Sequence, residues 1–153
     1  MIRVLFVCHG NICRSTAAET IFLNKINKAG IAGFFEVDSC AVSDEEEGNP
    51  MYPPMRRELT SRGIAIHPHF ARQITQGDFS HFDYILYMDR SNARYLSHYD
   101  HKNAKVQPLT DYGDGIREIE DPWYSGRYAL VVNQIDACLD GFLERLSSLG
   151  EIR

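Results

Sequence analysis

One stretch of the chain constrains its fold and chemistry more than any other. An apolar run at residues 4–7 ends at Cys8, and a helical pattern of apolar residues begins at Ala17. Between them lie Gly10 and Asn11, which tolerate the backbone angles that tight turns require. A strand, a tight turn and a helix start therefore follow one another. This order predicts a concave loop whose N–H groups, together with the helix dipole, favour an anion.

The predicted loop also carries a candidate nucleophile. Cys8 stands at the strand end, and Arg14 follows six positions later, where its planar guanidinium can bind two oxygens of a tetrahedral oxyanion. Such surroundings favour the nucleophilic thiolate. The alternative is that Cys8 is a small buried hydrophobe, the commoner role of a cysteine at a strand end. The turn residues, Arg14 and a possible capping box from Thr16 to Glu19 together favour the phosphate-binding interpretation.

Composition narrows the class of protein. The 153 residues are 44% hydrophobic and 24% charged, which predicts one globular domain spanning residues 1–153. A net charge of −5 argues against a nucleic-acid partner. With no apolar run near 18 residues and no signal peptide, we expect no membrane span.

The four cysteines are scattered along the chain, which favours a reduced, cytoplasmic protein over a disulfide framework. Cys40 and Cys138 are expected to be structural, since one ends a strand and the other lies on the apolar face of a helix. Zinc ligation by Cys8, Cys13, His67 and His69 is disfavoured, because neither pair has the usual spacing. We expect no metal and no cofactor.

The remaining pattern alternates helices and strands. Strands are predicted near residues 34–40, 82–88 and 105–109, and helices near 17–29, 53–62, 91–99 and 128–149. A helix between two strands is typical of a right-handed crossover with parallel strands. Active sites of such sheets lie at the carboxyl ends of the strands, where Cys8 stands.

A cysteine that attacks a phosphate ester needs an acid to protonate the leaving group. It also needs a base to activate the water that hydrolyses the thiophosphate intermediate. One carboxyl group can do both. Asp121 is the best candidate, because Pro122 stiffens its loop, and Trp123 and Tyr124 could wall a slot and shield the acid from water. The alternative is that Asp-Pro simply starts a turn.

These residues resemble the low-molecular-weight protein tyrosine phosphatases. The likeness rests on Val7-Cys8-His9-Gly10-Asn11-Ile12-Cys13-Arg14-Ser15 and on the later Asp121-Pro122-Trp123-Tyr124. It extends over nearly the whole chain, through Asp38-Ser39, residues 69–74, residues 82–89 and Asn92. The Cys-x5-Arg-Ser signature is shared with other phosphatases. The Gly-Asn-Ile-Cys-Arg-Ser form of the signature, combined with an Asp-Pro-aromatic motif late in the chain, is specific to this family.

The resemblance implies an α/β fold with a four-stranded parallel sheet flanked by helices on both faces and a phosphate-binding loop after the first strand. It also implies metal-free hydrolysis through phosphocysteine. Cys8 would be the nucleophile and Asp121 the general acid and base. Arg14 and the N–H groups from His9 to Arg14 would bind the phosphoryl group.

Supporting roles follow from the same resemblance. Ser15 would hydrogen-bond the thiolate, and Asn11 with Ser39 and His69 would hold the strained loop. Cys13 would be a redox partner able to form a disulfide with Cys8. The substrate walls would be His9, Ile12, Glu45, Trp123 and Tyr124.

Two departures from the family pattern stand out. Thr16 replaces the proline usual at the helix start, and we expect a mild effect. Glu45 occupies a position where many members place an aromatic residue at the rim of the slot. An acid there removes a stacking surface and repels acidic peptides, which predicts a weaker preference for acid-flanked phosphotyrosine.

Two other functions compete. A thioredoxin-linked arsenate reductase would need two further cysteines near residues 77–89, and none is present there. A non-catalytic phosphate- or phosphopeptide-binding module would not need Cys8, Arg14, Ser15 and Asp121 together. The expected substrate is a phosphotyrosine protein or a small aryl phosphate. The sequence leaves the oligomeric state open, with a monomer favoured.

Overall fold

The apolar run near the N-terminus forms a central strand of a parallel sheet. The computed structural model of the chain describes residues 1–152, so Arg153, the last residue of the predicted domain, lies outside it. The four strands are β1 (Ile2–Cys8), β2 (Phe35–Ala41), β3 (Tyr84–Tyr87) and β4 (Lys105–Pro108). They are all parallel, in the spatial order β2-β1-β3-β4.

Among the described residues, six helices connect or follow the strands. They are α1 (Arg14–Lys28), α2 (Pro53–Ser61), α3 (Gln76–His81), α4 (Arg90–Leu96), α5 (Pro122–Ser125) and α6 (Tyr128–Ser148). Short 3-10 turns precede β2 at Ala32–Phe34 and follow β4 at Leu109–Tyr112. Within residues 1–152, no helix combines the length and the apolar character needed to cross a membrane.

Alternating side chains of β1 serve two separate cores. Val4 and Phe6 belong to a core formed with α1, α2 and α6. Leu5 and Val7 belong to a second core that includes Phe79 of α3 and Leu96 of α4. A strand with both faces buried is apolar throughout, which explains the continuous apolar run at residues 4–7. The predicted four-stranded parallel sheet with helices on both faces is confirmed.

The strand order positions the functional end of the molecule. The chain moves from β1 to β2 on one side, and then crosses to β3 on the other side of β1. The carboxyl ends of β1 and β3 therefore flank a topological switch point, where parallel sheets bind ligands. Cys8 ends β1, and Asp89 follows β3 by two residues.

Several predicted boundaries were wrong. Helix α1 begins at Arg14 rather than Ala17, because Cys13 O already accepts the first helical hydrogen bond, from Ala17 N at 3.0 Å. The capping box predicted from Thr16 to Glu19 is absent, since both residues lie inside the helix and the Glu19 side chain is bonded elsewhere. Helices α3 and α5 are too short to show helical periodicity and were not predicted.

Candidate active site

The loop of residues 9–13, between β1 and α1, turns its carbonyl groups outward. Val42 N donates to Cys8 O at 3.0 Å, Ser43 N to His9 O at 3.2 Å and Tyr52 N to Ile12 O at 2.8 Å. By contrast, the N–H groups of Gly10, Ile12, Cys13 and Arg14 donate to no backbone carbonyl among residues 1–152. Backbone donors rarely remain unpaired in folded proteins. A ring of free donors at a helix N-terminus is suited to bind an anion.

The Cys8 sulfur sits among hydrogen-bond donors at the floor of this loop. Its Sγ lies 3.0 Å from Ser15 Oγ and accepts from Asn11 N at 3.3 Å and Ser15 N at 3.4 Å. Cys8 is only 3% exposed. Donors directed at a sulfur stabilise its thiolate form, which is the nucleophile.

Asn11 holds the loop together from beneath. Its backbone adopts φ of 62°, a left-handed conformation that few residues other than glycine tolerate. Its Nδ2 donates to Ser15 Oγ at 2.8 Å and to Ser39 Oγ at 2.9 Å. Its Oδ1 lies 2.7 Å from His69 Nε2 and accepts from Arg72 N at 3.3 Å. Contacts to four other residues therefore fix one strained backbone position.

A buried carboxyl group lies behind Asn11. Ser39 Oγ donates to Glu19 Oε1 at 2.6 Å, and His69 Nδ1 lies 3.5 Å from the same oxygen. Burial, reinforced by nearby Asp38, raises the pKa of Glu19 to about 7. The donated bond from Ser39 and the charge of Arg72 oppose this rise. Burial also lowers the pKa of His69.

Donor atoms of Glu19, Asp38 and His69 lie within 4.8 Å of one another, close enough to share a metal ion. Each is already engaged, however. Glu19 accepts from Ser39, and His69 bonds Asn11. Asp38 accepts from Arg72 at 3.0 Å, and the guanidinium disfavours a second cation there. The cluster is therefore best described as structural support for the loop.

Arg14 is buried, and its guanidinium donates hydrogen bonds to two acceptors. Its Nη1 donates to Asp89 Oδ2 at 2.7 Å and to Ile119 O at 2.9 Å, and the residue is only 2% exposed. Burial alone would lower the pKa of Arg14, but the neighbouring Cys8 and Asp89 raise it above its ordinary value. The guanidinium therefore stays charged beside the sulfur.

Asp121, from the C-terminal part of the chain, also lies at the site. Its Oδ1 accepts from Trp123 N at 3.0 Å, which caps α5, and its Oδ2 lies 3.5 Å from Arg14 Nη2. The Asp121 side chain keeps 29% of its surface accessible. Trp123 and Tyr124, which were predicted to shield this acid, are themselves 52% and 86% exposed, so the acid remains partly accessible to water.

A cavity of about 260 Å³ brings the predicted residues together. It is lined by Cys8, His9, Gly10, Asn11, Ile12, Cys13, Arg14, Glu45, Glu46, Asp121, Trp123 and Tyr124. Ser15, Ser39 and His69 stand behind this lining and reach it through Asn11. At the mouth, His9 Nε2 lies 3.2 Å from Glu45 Oε2.

All four cysteines are buried free thiols. Burial, with the negative charges of Cys8 and Asp121, raises the pKa of Cys13 to about 12. Burial likewise raises the pKa of Cys138 to about 11, and that of Cys40 rises as well. The interpretation of Cys40 and Cys138 as structural agrees with their positions in the two cores.

Three residues that build the site were not predicted to belong to it, and Glu19 had been assigned only to a capping box. Asp89 orients Arg14, Glu19 supports Ser39, and Tyr52 packs against Trp123 with ring centroids 4.8 Å apart. Only Asp89 had a usable signal, because it directly follows a strand whose carboxyl end faces the site. Glu19 and Tyr52 carried none.

Comparisons with known proteins agree with this geometry. The family model described as low molecular weight phosphotyrosine protein phosphatase matches residues 3–150. The mouse protein of that name is 41% identical over 151 residues, covering 93% of this chain and 94% of its own.

Solved structures give the same result. The crystal structure of YfkJ from Bacillus subtilis has a TM-score of 0.91 and 33% identity, covering 97% of this chain and 96% of its own. A protein tyrosine phosphatase from Entamoeba histolytica has a TM-score of 0.90 and 28% identity, covering 97% and 98%. The chain belongs to the low molecular weight phosphotyrosine protein phosphatase family.

Proposed function

We propose that this phosphatase hydrolyses phosphotyrosine and other aryl phosphate monoesters through a phosphocysteine intermediate. In the first step, Cys8 Sγ attacks phosphorus and the bond from phosphorus to the ester oxygen breaks. Asp121 gives its proton to the departing oxygen. Arg14 and the free loop N–H groups stabilise the charge that spreads over the phosphoryl oxygens.

The second step regenerates the enzyme. Water attacks phosphorus, Asp121 accepts its proton, and the sulfur–phosphorus bond breaks to release inorganic phosphate. The Ser15 hydroxyl, 3.0 Å from Cys8 Sγ, donates to the sulfur as it leaves with negative charge. Apart from water, every group that acts in these two steps is a side chain or a backbone N–H of this chain. The proposed mechanism therefore uses no metal and no cofactor.

One observation carries the proposal. Cys8, Arg14 and Asp121 line the same cavity, although Asp121 follows Cys8 by 113 positions in the chain. A module that only binds phosphate would need the loop but no acid beside it. The relatives described above are phosphatases, and neither the arsenate reductase nor the binding module is favoured.

The test is turnover of para-nitrophenyl phosphate without added metal, for the parent, Cys8→Ser, Asp121→Ala and Asp121→Asn. We expect no turnover by Cys8→Ser, with inorganic phosphate still bound by the intact loop. Removing the acid should slow turnover by roughly 10²–10⁴-fold. Asp121→Asn keeps an acceptor for Trp123 N and so separates lost acid chemistry from a lost helix cap.

Asp114→Asn is the matched control, because Asp114 is an exposed acid that does not line the cavity. Its rate should equal that of the parent. Residual turnover in Cys8→Ser, or turnover only with added metal, would contradict the mechanism. Freshly reduced parent protein that binds phosphate without turnover would identify a binding module instead.

We also propose that Cys13 protects the nucleophile. If peroxide oxidises Cys8 to the sulfenic acid, the Cys13 thiol can condense with it, forming a disulfide and releasing water. Both are free thiols that line the same cavity, which supports the proposal. After peroxide treatment, dithiothreitol should restore the parent's activity more completely than that of Cys13→Ser.

Three broader expectations remain proposals. One phosphatase domain is supported by a single sheet with a core on each face and by a family match over residues 3–150. A cytoplasmic location is supported by four free thiols. A monomer remains a prediction, which sedimentation of the purified protein can check.

A further inference from the structure

The mouth of the catalytic cavity has two chemically different walls. One wall is acidic and comes from the loop after β2. The other is aromatic and comes from the loop around α5. The floor between them holds Cys8 and Arg14 and is common to any substrate with a phosphoryl group. Selection among substrates therefore depends on what the two walls bind.

The acidic wall is formed by Glu45 and Glu46. The Glu45 side chain is 67% exposed, and its one close polar partner among residues 1–152 is His9, at 3.2 Å. Glu46 accepts from Asn49 Nδ2 at 2.7 Å, which fixes its carboxylate beside the mouth. The wall holds two carboxyl groups, and the single imidazole of His9 can offset the charge of only one of them. The wall therefore presents negative charge to an incoming ligand.

In the described part of the chain, no arginine or lysine at the rim balances this charge. Of the arginines and lysines in residues 1–152, only Arg14 lines the cavity. Arg14 lies at the floor, 2% exposed, and is engaged by Asp89 and Ile119. A ligand's acidic group near the mouth would therefore meet repulsion from Glu45 without compensation.

The aromatic wall faces the same opening. Trp123 is 52% exposed, and its ring lies 4.8 Å from the ring of Tyr52, which orients it. Tyr124 beside it is 86% exposed. Aromatic faces attract cations through the negative potential of the ring. An aromatic wall and an acidic wall across one opening therefore favour the same group, an ammonium or a guanidinium.

We propose that the cavity selects phosphomonoesters that carry a positive charge next to the phosphorylated ring, and in proteins phosphotyrosine flanked by lysine or arginine. Glu45 is the specificity-determining residue, and Trp123 forms the opposite wall. This selection depends on the hydrolysis proposed above, since it concerns which substrate reaches Cys8. The sequence predicted only a weaker preference for acidic peptides, whereas the two walls together attract a cationic group.

The size of the effect follows from exposed electrostatics. A solvent-exposed ion pair changes an equilibrium by about twofold to fivefold, and ions screen it beyond about 10 Å at 0.1 M salt. Replacing a flanking glutamate by lysine turns a repulsion into an attraction. We expect kcat/KM to rise roughly fivefold to twentyfold at low salt, and by less at 0.5 M salt.

The experiment uses three phosphotyrosine peptides that differ only in the flanking residue, which is lysine, glutamine or glutamate. Phosphate release is measured for the parent, Glu45→Gln and Glu47→Gln. Glu47 is the matched control, because it is an exposed acid of the same loop that does not line the cavity. Para-nitrophenyl phosphate, which has no flanking charge, reports catalysis alone.

The parent and Glu47→Gln should both rank lysine over glutamine over glutamate. In Glu45→Gln the ratio of lysine to glutamate should fall at least threefold. Equal rates on the three peptides would overturn the proposed selectivity, and so would a lysine-to-glutamate ratio in Glu45→Gln equal to that of the parent. In either case, turnover of para-nitrophenyl phosphate would still support the phosphatase activity. No turnover of any substrate would overturn both proposals.

Discussion

The floor and the rim of the cavity are built in opposite ways. At the floor, Asn11 and Arg14 are 1% and 2% exposed, and each makes several hydrogen bonds to residues distant in the chain. At the rim, Trp123 and Tyr124 are more than half exposed, and Glu45 has His9 as its one close partner. A preorganised floor stabilises a transition state, because its donors need not reorganise during the reaction. An exposed rim changes only how well a substrate binds.

This contrast predicts that floor substitutions mainly lower kcat, whereas rim substitutions mainly change KM. It also predicts that stability falls with the first group and hardly changes with the second. Four substitutions test the contrast, from the one expected to have the largest effect to the smallest.

Asn11→Ala should have the largest effect. It removes the acceptor for His69 and the donor to Ser15 and Ser39, and it leaves a non-glycine residue at positive φ. We expect the free energy of unfolding to fall by about 2–4 kcal/mol and turnover to fall by about 100-fold. Urea unfolding and initial rates measure the two.

Asn11→Gly is the control that keeps positive φ without strain. Its stability should exceed that of the alanine variant by about 1 kcal/mol, while its turnover stays as low. Full turnover by the glycine variant would show that the side-chain bonds of Asn11 do not hold the floor.

Asp89→Asn should have the next largest effect. Asparagine still caps α4 by accepting from Asn92 N, so the fold is retained, but the charge that orients Arg14 is lost. We expect kcat to fall roughly 10- to 100-fold. Inhibition by inorganic phosphate should weaken in parallel, a change that a merely structural role of Asp89 would not produce. Asp114→Asn should match the parent in both, and unchanged phosphate inhibition in Asp89→Asn would contradict the role.

Glu19→Gln should change how stability depends on pH more than it changes turnover. Because burial raises the pKa of Glu19 to about 7 from 4.5, the native state binds more protons than the unfolded state between these values. The contribution of Glu19 to the free energy of unfolding therefore falls as pH rises from 4.5 to 7, by on the order of 3 kcal/mol. Glutamine still accepts from Ser39 but does not titrate, so its profile should be flatter.

The Glu19 experiment has neighbours to control. His67, His69, Asp38 and Arg72 face the same carboxyl group, and burial lowers the pKa of His69. Urea unfolding of parent and variant at matched pH values isolates Glu19, because the neighbours are common to both. Parallel profiles would show that Glu19 is ionised throughout the range.

The same contrast explains how much the sequence could predict. The residues of the floor could be named from the sequence because Cys8, the turn and Arg14 lie in one short segment, and the structure places them around one cavity. The boundaries of β3 depend on its pairing with β1, and the contact from Asp89 to Arg14 joins segments that are distant in the chain. The capping box at Thr16 and Glu19 was wrong because burial gave Glu19 a different partner, Ser39. The His9–Glu45 pair joins residues 36 positions apart and has no local signature.

Trp123→Ala should have the smallest effect, and it tests the rim directly. The substitution removes the aromatic wall, but Trp123 N still donates to Asp121 Oδ1, so the acid stays in place. We expect KM for aryl phosphates to rise about threefold to tenfold, with kcat within about twofold of the parent. The free energy of unfolding should change by less than about 1 kcal/mol. Phe34→Ala, a partly exposed aromatic that does not line the cavity, should leave KM unchanged. A large fall in kcat for Trp123→Ala would mean that the rim helps to position Asp121, and the division between floor and rim would then be wrong.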